Sequence, residues 1–413
     1  MLYELIYFFY PQNRWWGSSV PDISYSFLSV VLMAFVLIKG LKEFNQNKIM
    51  KVPQFRYLFL IFLTLAISSF FAPIPSLHSM AMNYFVKLII IILIAYKLCQ
   101  TARDLNLYIM GYLLGSWYFS YLVYQTGRNY GDRVEAIGFV DAPDSNGFAA
   151  AVAPSLIFAL HYFWVAKNHW YRLLFALIGV FLANALVLIN SRGAFLAVVV
   201  GGGYYMYLLF FSKARVKYQR LGVIMVTIFG LAGAIYIADD GFINRMYTIT
   251  EEAESLEETK TEGQTGATRI IFWAAAWDLT KDYPLGVGSR GFEFYAPKYI
   301  PQDVDTGKSR NRAVHSTWFQ ALSETGYLGF AFFVLMLVAS FRTLSKVKKN
   351  MNIDTMYAEH WKMTAIQGSL ITFTVSSTFL NLMRAEVLYW LILYTACAYN
   401  IYVLKAGKES NVE

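Results

Sequence analysis

Charged residues are scarce in this chain of 413 residues: Asp, Glu, Lys and Arg together account for 15% of it. Soluble domains usually carry about 25%, so the shortage excludes an ordinary soluble globular protein. Hydrophobic residues make up 57% of the chain and are gathered into long stretches. The net charge of +8 comes largely from basic residues in short connections between those stretches. This pattern is typical of cytoplasmic membrane loops, and we predict no nucleic-acid partner.

Cysteine is also nearly absent, and its placement excludes two kinds of site. Cys99 and Cys397 lie in or at the end of apolar segments far apart in the chain, which fits neither a disulfide framework nor a metal-binding spacing. The sequence also lacks a phosphate-binding glycine loop between a strand and a helix, a pair of histidines spaced for a metal, and a Ser-His-Asp arrangement. The glycines of residues 286–291 follow a predicted helix and are interpreted as a turn. We therefore predict neither a metal nor a cofactor.

Apolar stretches close to the ~20 residues that cross a bilayer dominate what is present. They fall at about 22–40, 56–73, 83–98, 105–124, 147–166, 172–189, 194–211, 221–238, 316–341, 362–381 and 386–404. The opening run, residues 2–10, is too short to span and is interpreted as an interfacial or partly inserted helix. The sequence therefore predicts an all-α fold, a polytopic bundle of about 11–12 transmembrane helices with a large extracytoplasmic loop that contains short helices.

Basic residues fix the predicted orientation of this bundle. They recur in every second connection, as the positive-inside rule requires of cytoplasmic loops. The basic connections lie at 39–56, 97–103, 167–172, 213–220, 342–349 and 405–408. The connections that we predict to face outward lie at 73–82, 125–146, 190–192, 238–315 and 381–385. This alternation predicts an N-terminus outside and a C-terminus in the cytoplasm.

The predicted organisation has three parts. Residues 1–238 hold transmembrane helices 1–8 with short loops, residues 239–315 form one large outward loop, and residues 316–413 hold helices 9–11 and a cytoplasmic tail. A connection as long as the second part is usually functional. Within it, the acidic residues 251–262 predict a solvated rim, and residues 267–281 predict an amphipathic helix on the outer membrane surface.

Positive charge on the outward side is the first unusual feature. It does not help the topology there, and a guanidinium suits phosphate and pyrophosphate because it forms bidentate hydrogen bonds. A solvated surface arginine is the alternative interpretation. That alternative is weakest for Arg192, which lies between two apolar helices where an unpaired cation is costly. The outward basic residues are Arg128, Arg133, Arg192, Arg269, Arg290, Lys298, Lys308, Arg310 and Arg312.

Other polar residues in the outward connections are candidates for chemistry. His315, where the large loop meets the next apolar stretch, can take a proton from a hydroxyl or hydrogen-bond a phosphate oxygen near neutral pH. A lone histidine is more often structural. In the cluster of residues 141–147, Asp144, Ser145 or Asn146 is expected to cap the helix that follows. Alternatively, the carboxylates of this cluster help to bind a sugar or align an arginine. A last outward turn is expected to hold polar residues that pair with one another: Asn381, Arg384 and Glu386.

Three sequence elements resemble motifs of the O-antigen ligase and polymerase superfamily, membrane glycosyltransferases also grouped with the GT-C type. Residues 189–194, Ile-Asn-Ser-Arg-Gly-Ala, resemble the Ser-Arg-Gly element that precedes an apolar helix. Residues 268–273 and 283–288 resemble the Arg-x-x-x-Trp helix and the Pro-Leu-x-Gly-x-Gly turn of the family. Residues 315–320 and 324–329 resemble its His-[Asn/Ser] element and its Glu-x-Gly-x-x-Gly element.

The resemblance extends over residues 130–345 and implies an activity. The Ala-Val-His-Ser variant at 313–316, with residues 244–249, is most similar to the exosortase-associated O-glycosylation ligase branch. The family implies an O-antigen ligase-like transfer of a glycan from a polyprenyl (undecaprenyl) pyrophosphate to a hydroxyl at the periplasmic face of the bacterial inner membrane. It implies no nucleotide sugar and no metal. The partners would be the lipid-linked donor, a lipid, protein or glycan acceptor, and membrane lipids.

The resemblance also implies residue roles at the matching positions. Arg192 and Arg269 would bind the pyrophosphate and stabilise its charge as the bond to the anomeric carbon breaks. His315 would be the general base on the acceptor hydroxyl, or a further phosphate contact. Further candidates for donor or acceptor contacts are Arg128, Arg133, Asp144, Asn146, Arg290 and Arg312.

Two alternatives to a ligase stay open. A polymerase of the same superfamily would use a second lipid-linked glycan as its acceptor, and the sequence does not separate it from a ligase. A transporter of lipid-linked glycans would predict interrupted helices in corresponding positions of two halves and charges deep in the spans. The sequence shows neither a clear repeat nor deep charge pairs, so an enzyme is favoured.

Overall fold

The computed structural model describes residues 1–138, 141–142, 144–213, 216–239, 241–243, 266–303, 306 and 309–406. The predictions for 244–249, 251–262 and Lys308 therefore lie outside the described residues. Before the large loop the helices are α1 (Leu2–Phe9), α2 (Tyr25–Lys39), α3 (Leu41–Phe44), α4 (Pro53–Ser68), α5 (Pro75–Leu98), α6 (Ala102–Thr126), α7 (Ser145–Val165), α8 (His169–Ile189), α9 (Arg192–Phe211) and α10 (Gln219–Ile237). Within and after it they are α11 (Gly266–Asp282), α12 (Gly291–Tyr299), α13 (Thr317–Lys349), α14 (Tyr357–Ser377) and α15 (Glu386–Tyr399), which continues as a π-helical turn (Asn400–Lys405).

The predicted all-α polytopic bundle is confirmed: over the ranges just given, the chain forms helices and no strand. Eight helices in these ranges are long and apolar enough to cross a membrane, namely α4 with the turn after it, α5, α7, α8, α9, α10, α13 and α15 with its π-helical turn. The other three predicted spans fall on α2, α6 and α14. Of these, α2 has 15 residues, whereas α6 and α14 are long enough but more polar.

The polarity of α14 follows from its place inside the bundle. Thr364, Gln367 and Ser369 on this helix are fully buried. Gln367 donates from Nε2 to the Phe341 carbonyl at 3.2 Å, and Ser369 donates from Oγ to the Pro154 carbonyl at 2.9 Å. Because other helices enclose α14, these groups find protein partners instead of facing lipid. By contrast, only 6% of the most apolar stretch of α10 is buried inside the protein, and this helix is apolar on all sides.

Hydrogen bonds join the predicted outward connections to one another. Arg128 and Asp239, from two of these connections, form an ion pair of 2.7 Å between Nη2 and Oδ1. The backbone N–H of Ser316 donates to Asn381 Oδ1 at 3.1 Å and so joins the end of the large loop to the connection before α15. These outward connections therefore meet at one end of the bundle.

The basic connections meet one another as well. Asn47 donates from Nδ2 to the Cys99 carbonyl at 3.0 Å, which links the first basic connection to the second. Lys405, at the end of the last helix, donates from Nζ to the Gln100 carbonyl at 2.9 Å. The structure thus separates the two sets of connections as the alternation of charge predicts, while the side of the membrane that each set faces stays a prediction.

The opening helix α1 lies among other helices and not on their surface. Two glycines of α6 make room for it, because a Cβ at Gly111 would lie 2.7 Å from Glu4 Oε2 and one at Gly115 would lie 2.7 Å from the Phe8 ring. Glu4 is 4% exposed, and its Oε1 accepts a hydrogen bond from the Tyr394 hydroxyl at 2.7 Å. A carboxyl group therefore lies inside the bundle, where the sequence alone indicated no deep charge.

Among the described residues of the large loop are the helices α11 and α12, which share an apolar cluster of their own with Val314. Phe272 and Leu279 of α11 are buried in this cluster. Ile270 and Trp277 on the same helix are 51% and 48% exposed. The predicted helix is therefore present, and part of its apolar surface packs on protein. Whether the exposed part lies on a membrane stays a prediction.

A turn after α11 fits into a break in α13. The backbone N–H groups of Val287 and Gly288 donate to the carbonyls of Ser323 and Glu324 at 2.9 and 3.0 Å. Gly326 has φ +70° inside α13, which breaks the helix there, and a Cβ on it would lie 2.1 Å from the Pro284 carbonyl oxygen. We call this contact between residues 284–288 and 323–327 the joint. It unites the Pro-Leu-x-Gly-x-Gly and Glu-x-Gly-x-x-Gly elements of the sequence in one structural unit.

A buried ion pair stabilises the joint. Arg384 forms it with Glu324, whose side chain is 5% exposed. The expectation that Arg384 and Glu386 pair with each other is therefore wrong, because Glu386 accepts hydrogen bonds from the hydroxyls of Tyr3 and Tyr84 at 2.8 and 3.3 Å. Sequence proximity favoured a local partner, whereas packing brings a carboxylate from α13 to the arginine.

Candidate active site

One cavity at the outward end brings together three of the predicted site residues, Arg269, Arg312 and His315. We call it the pocket. It lies between the first turns of α11 and the segment that leads into α13. Its lining consists of Thr268, Arg269, Phe272, Arg312, Val314 and His315.

Aromatic rings lie against both guanidinium groups of the pocket. The Arg312 guanidinium carbon lies 5.0 Å from the centre of the Phe272 ring, and that of Arg269 lies 6.0 Å from the centre of the Phe379 ring. Arg312 also donates from Nη2 to the Thr306 carbonyl at 2.6 Å. Such cation–π contacts restrain the position of a guanidinium group.

The start of α9 lies beside the same Phe379 ring. Arg192 is the first residue of α9, and a Cβ on the following residue, Gly193, would lie 3.3 Å from this ring. Phe379 therefore connects the start of α9 to Arg269 on α11. The N-terminal turn of a helix also presents free backbone N–H groups, which favour an anion there.

His315 is half-buried in the pocket wall and has an unusual backbone conformation, with φ +50°. Burial lowers the pKa of its imidazole, the positive charges of Arg269 and Arg312 lower it further, and Asp144 opposes them. A lowered pKa keeps the ring neutral at neutral pH, which is the form that accepts a proton. The effect of Asp144 shows that this carboxylate lies within electrostatic range of the imidazole.

Asn146 connects a second arginine to the start of α9. Its Oδ1 accepts hydrogen bonds from Arg133 Nη2 at 2.7 Å and from Ser191 Oγ at 3.0 Å. Asp144 caps α7, because its Oδ1 accepts from the Gly147 backbone N–H at 2.7 Å. The capping interpretation of Asp144 is thus correct for one of its oxygens. Through Asn146, Arg133 is linked to Ser191, the residue that precedes Arg192.

Six of the nine predicted site residues do not line the pocket, and two of these six, Arg128 and Arg290, form ion pairs elsewhere. Arg128 pairs with Asp239 and donates to the Val187 carbonyl at 3.4 Å. Arg290 is exposed and pairs with Glu293 at 2.9 Å, next to the joint. A contact of either arginine with substrate stays a prediction. In the part of the chain that is described, no three His, Cys, Asp or Glu side chains form a group that could hold a metal ion.

The aromatic residues of this region carry no signal of their own in the sequence. Aromatic residues make up 18% of the chain, so Phe272 and Phe379 do not stand out. Trp273 belongs to the Arg-x-x-x-Trp element and stacks on Phe319 with 5.5 Å between ring centres. The spacing of that element could have indicated that Trp273 lies close to Arg269, one helical turn away.

A comparison with known protein families matches residues 177–334 to the family described as O-Antigen ligase. The matched segment includes Arg192, Arg269 and His315, whereas Arg133 and Asp144 precede it. No curated protein matches the chain. The more specific assignment to the exosortase-associated branch stays a prediction. The chain carries an O-antigen ligase domain over residues 177–334, which supports its place in the O-antigen ligase and polymerase superfamily.

Proposed function

We propose that this protein transfers a glycan from a polyprenyl pyrophosphate, such as undecaprenyl pyrophosphate, to a hydroxyl acceptor. The reaction takes place at the periplasmic face of a bacterial inner membrane and needs no metal. Multi-pass membrane helices and the O-antigen ligase domain support a membrane glycosyltransferase. The donor, the acceptor and the side of the membrane are the proposed part.

The observation that carries the proposal is the composition of the pocket. Two guanidinium groups and one imidazole of lowered pKa line the same small cavity. Guanidinium groups form bidentate, charge-assisted hydrogen bonds with phosphate oxygens. A neutral imidazole beside them accepts a proton near neutral pH. An anionic leaving group and a hydroxyl nucleophile are the reactants that such a set of groups serves.

The proposed reaction has one bond forming and one breaking. The acceptor oxygen bonds to the anomeric carbon of the glycan while the bond from that carbon to the pyrophosphate oxygen breaks. His315 takes the proton of the acceptor hydroxyl as general base. Arg192 and Arg269 stabilise the negative charge that develops on the departing lipid pyrophosphate.

The remaining candidates have supporting roles in this proposal. Arg312 adds positive charge to the pocket and contacts a phosphate oxygen. Asn146 and Arg133 hold the start of α9 and contact the substrate from that side, and Asp144 faces His315 from the α7 end. For Arg128 and Arg290, which lie apart from the pocket, we propose contacts with the more distant part of the donor or the acceptor.

The experiment that tests the proposal is glycan transfer by the purified full-length protein. The reaction contains a polyprenyl-pyrophosphate glycan and a chelator but no nucleotide sugar. We expect transfer by the wild type and a loss of about 10² or more in His315→Ala and Arg192→Ala, because each removes a group that acts at the reacting centre. His169→Ala, at the opposite end of the bundle, serves as the matched control and keeps wild-type activity.

The same experiment separates the alternatives. A product in which a second lipid-linked glycan has been extended identifies a polymerase of the same superfamily. Movement of the lipid-linked glycan across vesicles without transfer to any acceptor identifies a transporter and overturns the proposal. Full activity of both variants shows that the pocket is not the active site.

A further inference from the structure

We propose that Asn381 is a positioning residue that fixes the direction of the His315 imidazole, with Trp273 holding the other side of the same backbone segment. This inference rests on the proposed role of His315 in glycan transfer. Asn381 lies in the connection before α15 and is absent from the lining of the pocket. It would act on the reaction only through the backbone on either side of His315.

The backbone of His315 needs such support. Its φ of +50° lies in the left-handed region, which is unfavourable for a residue other than glycine. Conformations of this kind persist where the surrounding structure holds them, and they are common at functional sites. The direction of a side chain depends on the φ and ψ angles of its residue. A change in these angles therefore turns the imidazole away from the pocket.

The first support comes from α11. Trp273 donates from its indole Nε1 to the Val314 carbonyl at 3.1 Å, which fixes the peptide bond before His315. The indole is held in turn by stacking on Phe319, with 17° between the ring planes. Trp273 follows Arg269 by one helical turn. The position of the imidazole is thus tied to the helix that carries the arginine.

The second support comes from the connection that contains Asn381. Its Oδ1 accepts a hydrogen bond from the Ser316 backbone N–H at 3.1 Å, which fixes the peptide bond after His315. Thr317 holds this connection in place, since its Oγ1 donates to the Leu380 carbonyl at 2.7 Å and accepts from the Leu382 N–H at 2.9 Å. The connection is therefore anchored on both sides of Asn381.

Together the two side chains hold both peptide bonds that flank His315. Neither side chain lines the pocket, so neither is expected to contact the reacting atoms. Loss of either hydrogen bond should leave donor binding by the arginines intact and misplace the base. A misplacement of about 1 Å can lower a rate by about 10²-fold. The expected result is a fall in kcat with little change in KM.

The test compares substitutions that remove one hydrogen bond each. Asn381→Ala removes the acceptor, Asn381→Asp keeps an oxygen there, and Trp273→Phe keeps the aromatic ring but removes the N–H donor. The matched controls lie at the other end of the bundle. They are Asn168, which accepts one backbone N–H bond at 2.8 Å at the start of α8, and Trp164, which donates to Tyr357 at 3.0 Å. The control variants are Asn168→Ala and Trp164→Phe.

We expect Asn381→Ala and Trp273→Phe to lower kcat by about 10-fold or more, with KM for the lipid-linked donor within about twofold of wild type. Asn381→Asp, assayed at its own optimal pH, should recover most of kcat. The control variants should match the wild type. If Asn381→Ala does not fold, Trp273→Phe still tests the proposal. Equal kcat in Asn381→Ala and Asn168→Ala, or no recovery in Asn381→Asp, would overturn it.

A second readout does not depend on glycan transfer. In the protein labelled at its 5 histidines, the imidazole signal of His315 is identified by its loss in His315→Ala. We expect this signal to shift in Asn381→Ala and to stay unchanged in Asn168→Ala. A shift without any transfer by the wild type would support the positioning and contradict the proposed function. An unchanged signal in Asn381→Ala would overturn the positioning, whatever the activity.

Discussion

The pocket and the joint both contain motif residues and arginines, but different groups lie next to the arginines of each. At the joint, Arg384 pairs with the buried carboxylate of Glu324, and nearby Arg290 pairs with Glu293. In the pocket, Arg269 and Arg312 share one cavity and their charges lower the pKa of His315. At the joint a carboxylate thus meets an arginine within the fold, whereas in the pocket two arginines lie near a histidine whose pKa they lower.

This difference indicates that motif residues serve the fold at the joint and the chemistry in the pocket. The joint fixes where α13 breaks, and α13 begins two residues after His315. The pocket depends on that geometry but gains its chemistry from two guanidinium groups and an imidazole that line one small cavity. Substitutions at the joint should therefore act mainly on stability, and substitutions in the pocket mainly on activity. The predictions that follow test this separation, starting with the largest expected effect.

Breaking the ion pair of the joint should be the most destabilising change. Arg384→Met leaves Glu324 buried without its partner, which lowers the free energy of unfolding by about 3–5 kcal/mol. Denaturant unfolding in detergent micelles measures the loss. Replacing both residues, Arg384→Met with Glu324→Leu, should recover much of it. As a control, Lys281→Ala removes an exposed ion pair with Asp278 and should have no measurable effect. If Arg384→Met had the same free energy of unfolding as the wild type, the account of the joint would be contradicted.

A methyl group at the break in α13 should be the next largest effect on stability. Gly326→Ala places a Cβ 2.1 Å from the Pro284 oxygen at a φ of +70°, which should lower the free energy of unfolding by about 2–4 kcal/mol. Gly203→Ala in α9 is the matched control, since a Cβ there meets nothing within 4 Å. It should raise stability by about 0.5–1 kcal/mol. Equal stability of the two variants would contradict a role for Gly326 in the joint.

In the pocket, exchanging one cation for another should affect activity and not folding. Arg269→Lys keeps the charge but loses the planar fork that binds two phosphate oxygens. We expect kcat/KM for the lipid-linked donor to fall about tenfold, with the melting temperature unchanged. Lys281→Ala on the same helix should leave kcat/KM as in the wild type. A melting temperature below that of the wild type in Arg269→Lys would indicate that this arginine serves the fold, as Arg384 of the joint does.

The smallest predicted effect is a shift in the pH profile. The pKa of His315 is lowered by burial and by Arg269 and Arg312, so activity that needs the neutral ring persists to lower pH than for an ordinary histidine. Arg312→Gln removes one positive neighbour and raises the pKa of His315, which moves the acidic limb of kcat/KM to higher pH. Arg172→Gln, at the other end of the bundle, should not move the limb. A shift to lower pH in Arg312→Gln would contradict the assignment of the base.

The sequence was sufficient to predict the helices and the grouping of outward residues. Charge alternation placed the start of α9 and His315 in connections on one side, and the structure joins such connections at one end of the bundle. The polar helix α14 also fell on a predicted span, although its buried Gln367 and Ser369 make it less apolar than a helix that faces lipid. Periodic apolar length and charge are local properties, so they can be read without knowing the packing.

The partners of individual residues could not be predicted in this way. Arg384 pairs with Glu324, which lies 60 positions away in the chain, and not with its neighbour Glu386. Phe379 connects α9 and α11, but one phenylalanine among 33 carries no sign of that position. The hydrogen bond of Asn381 depends on how the last connection folds over the start of α13. These contacts arise from tertiary packing, which leaves no spacing in the sequence.

Equilibrium binding of a fluorescent polyprenyl pyrophosphate tests the central claim most directly. The claim is that the arginines around the pocket bind the donor through its pyrophosphate. We expect Kd to rise about 10–100-fold in Arg192→Ala and in Arg269→Ala, because each removes charge-assisted hydrogen bonds worth about 1.5–3 kcal/mol. Arg172→Ala should bind within about twofold of the wild type. Equal affinity in all four proteins would show that the lipid pyrophosphate binds elsewhere and would contradict the account.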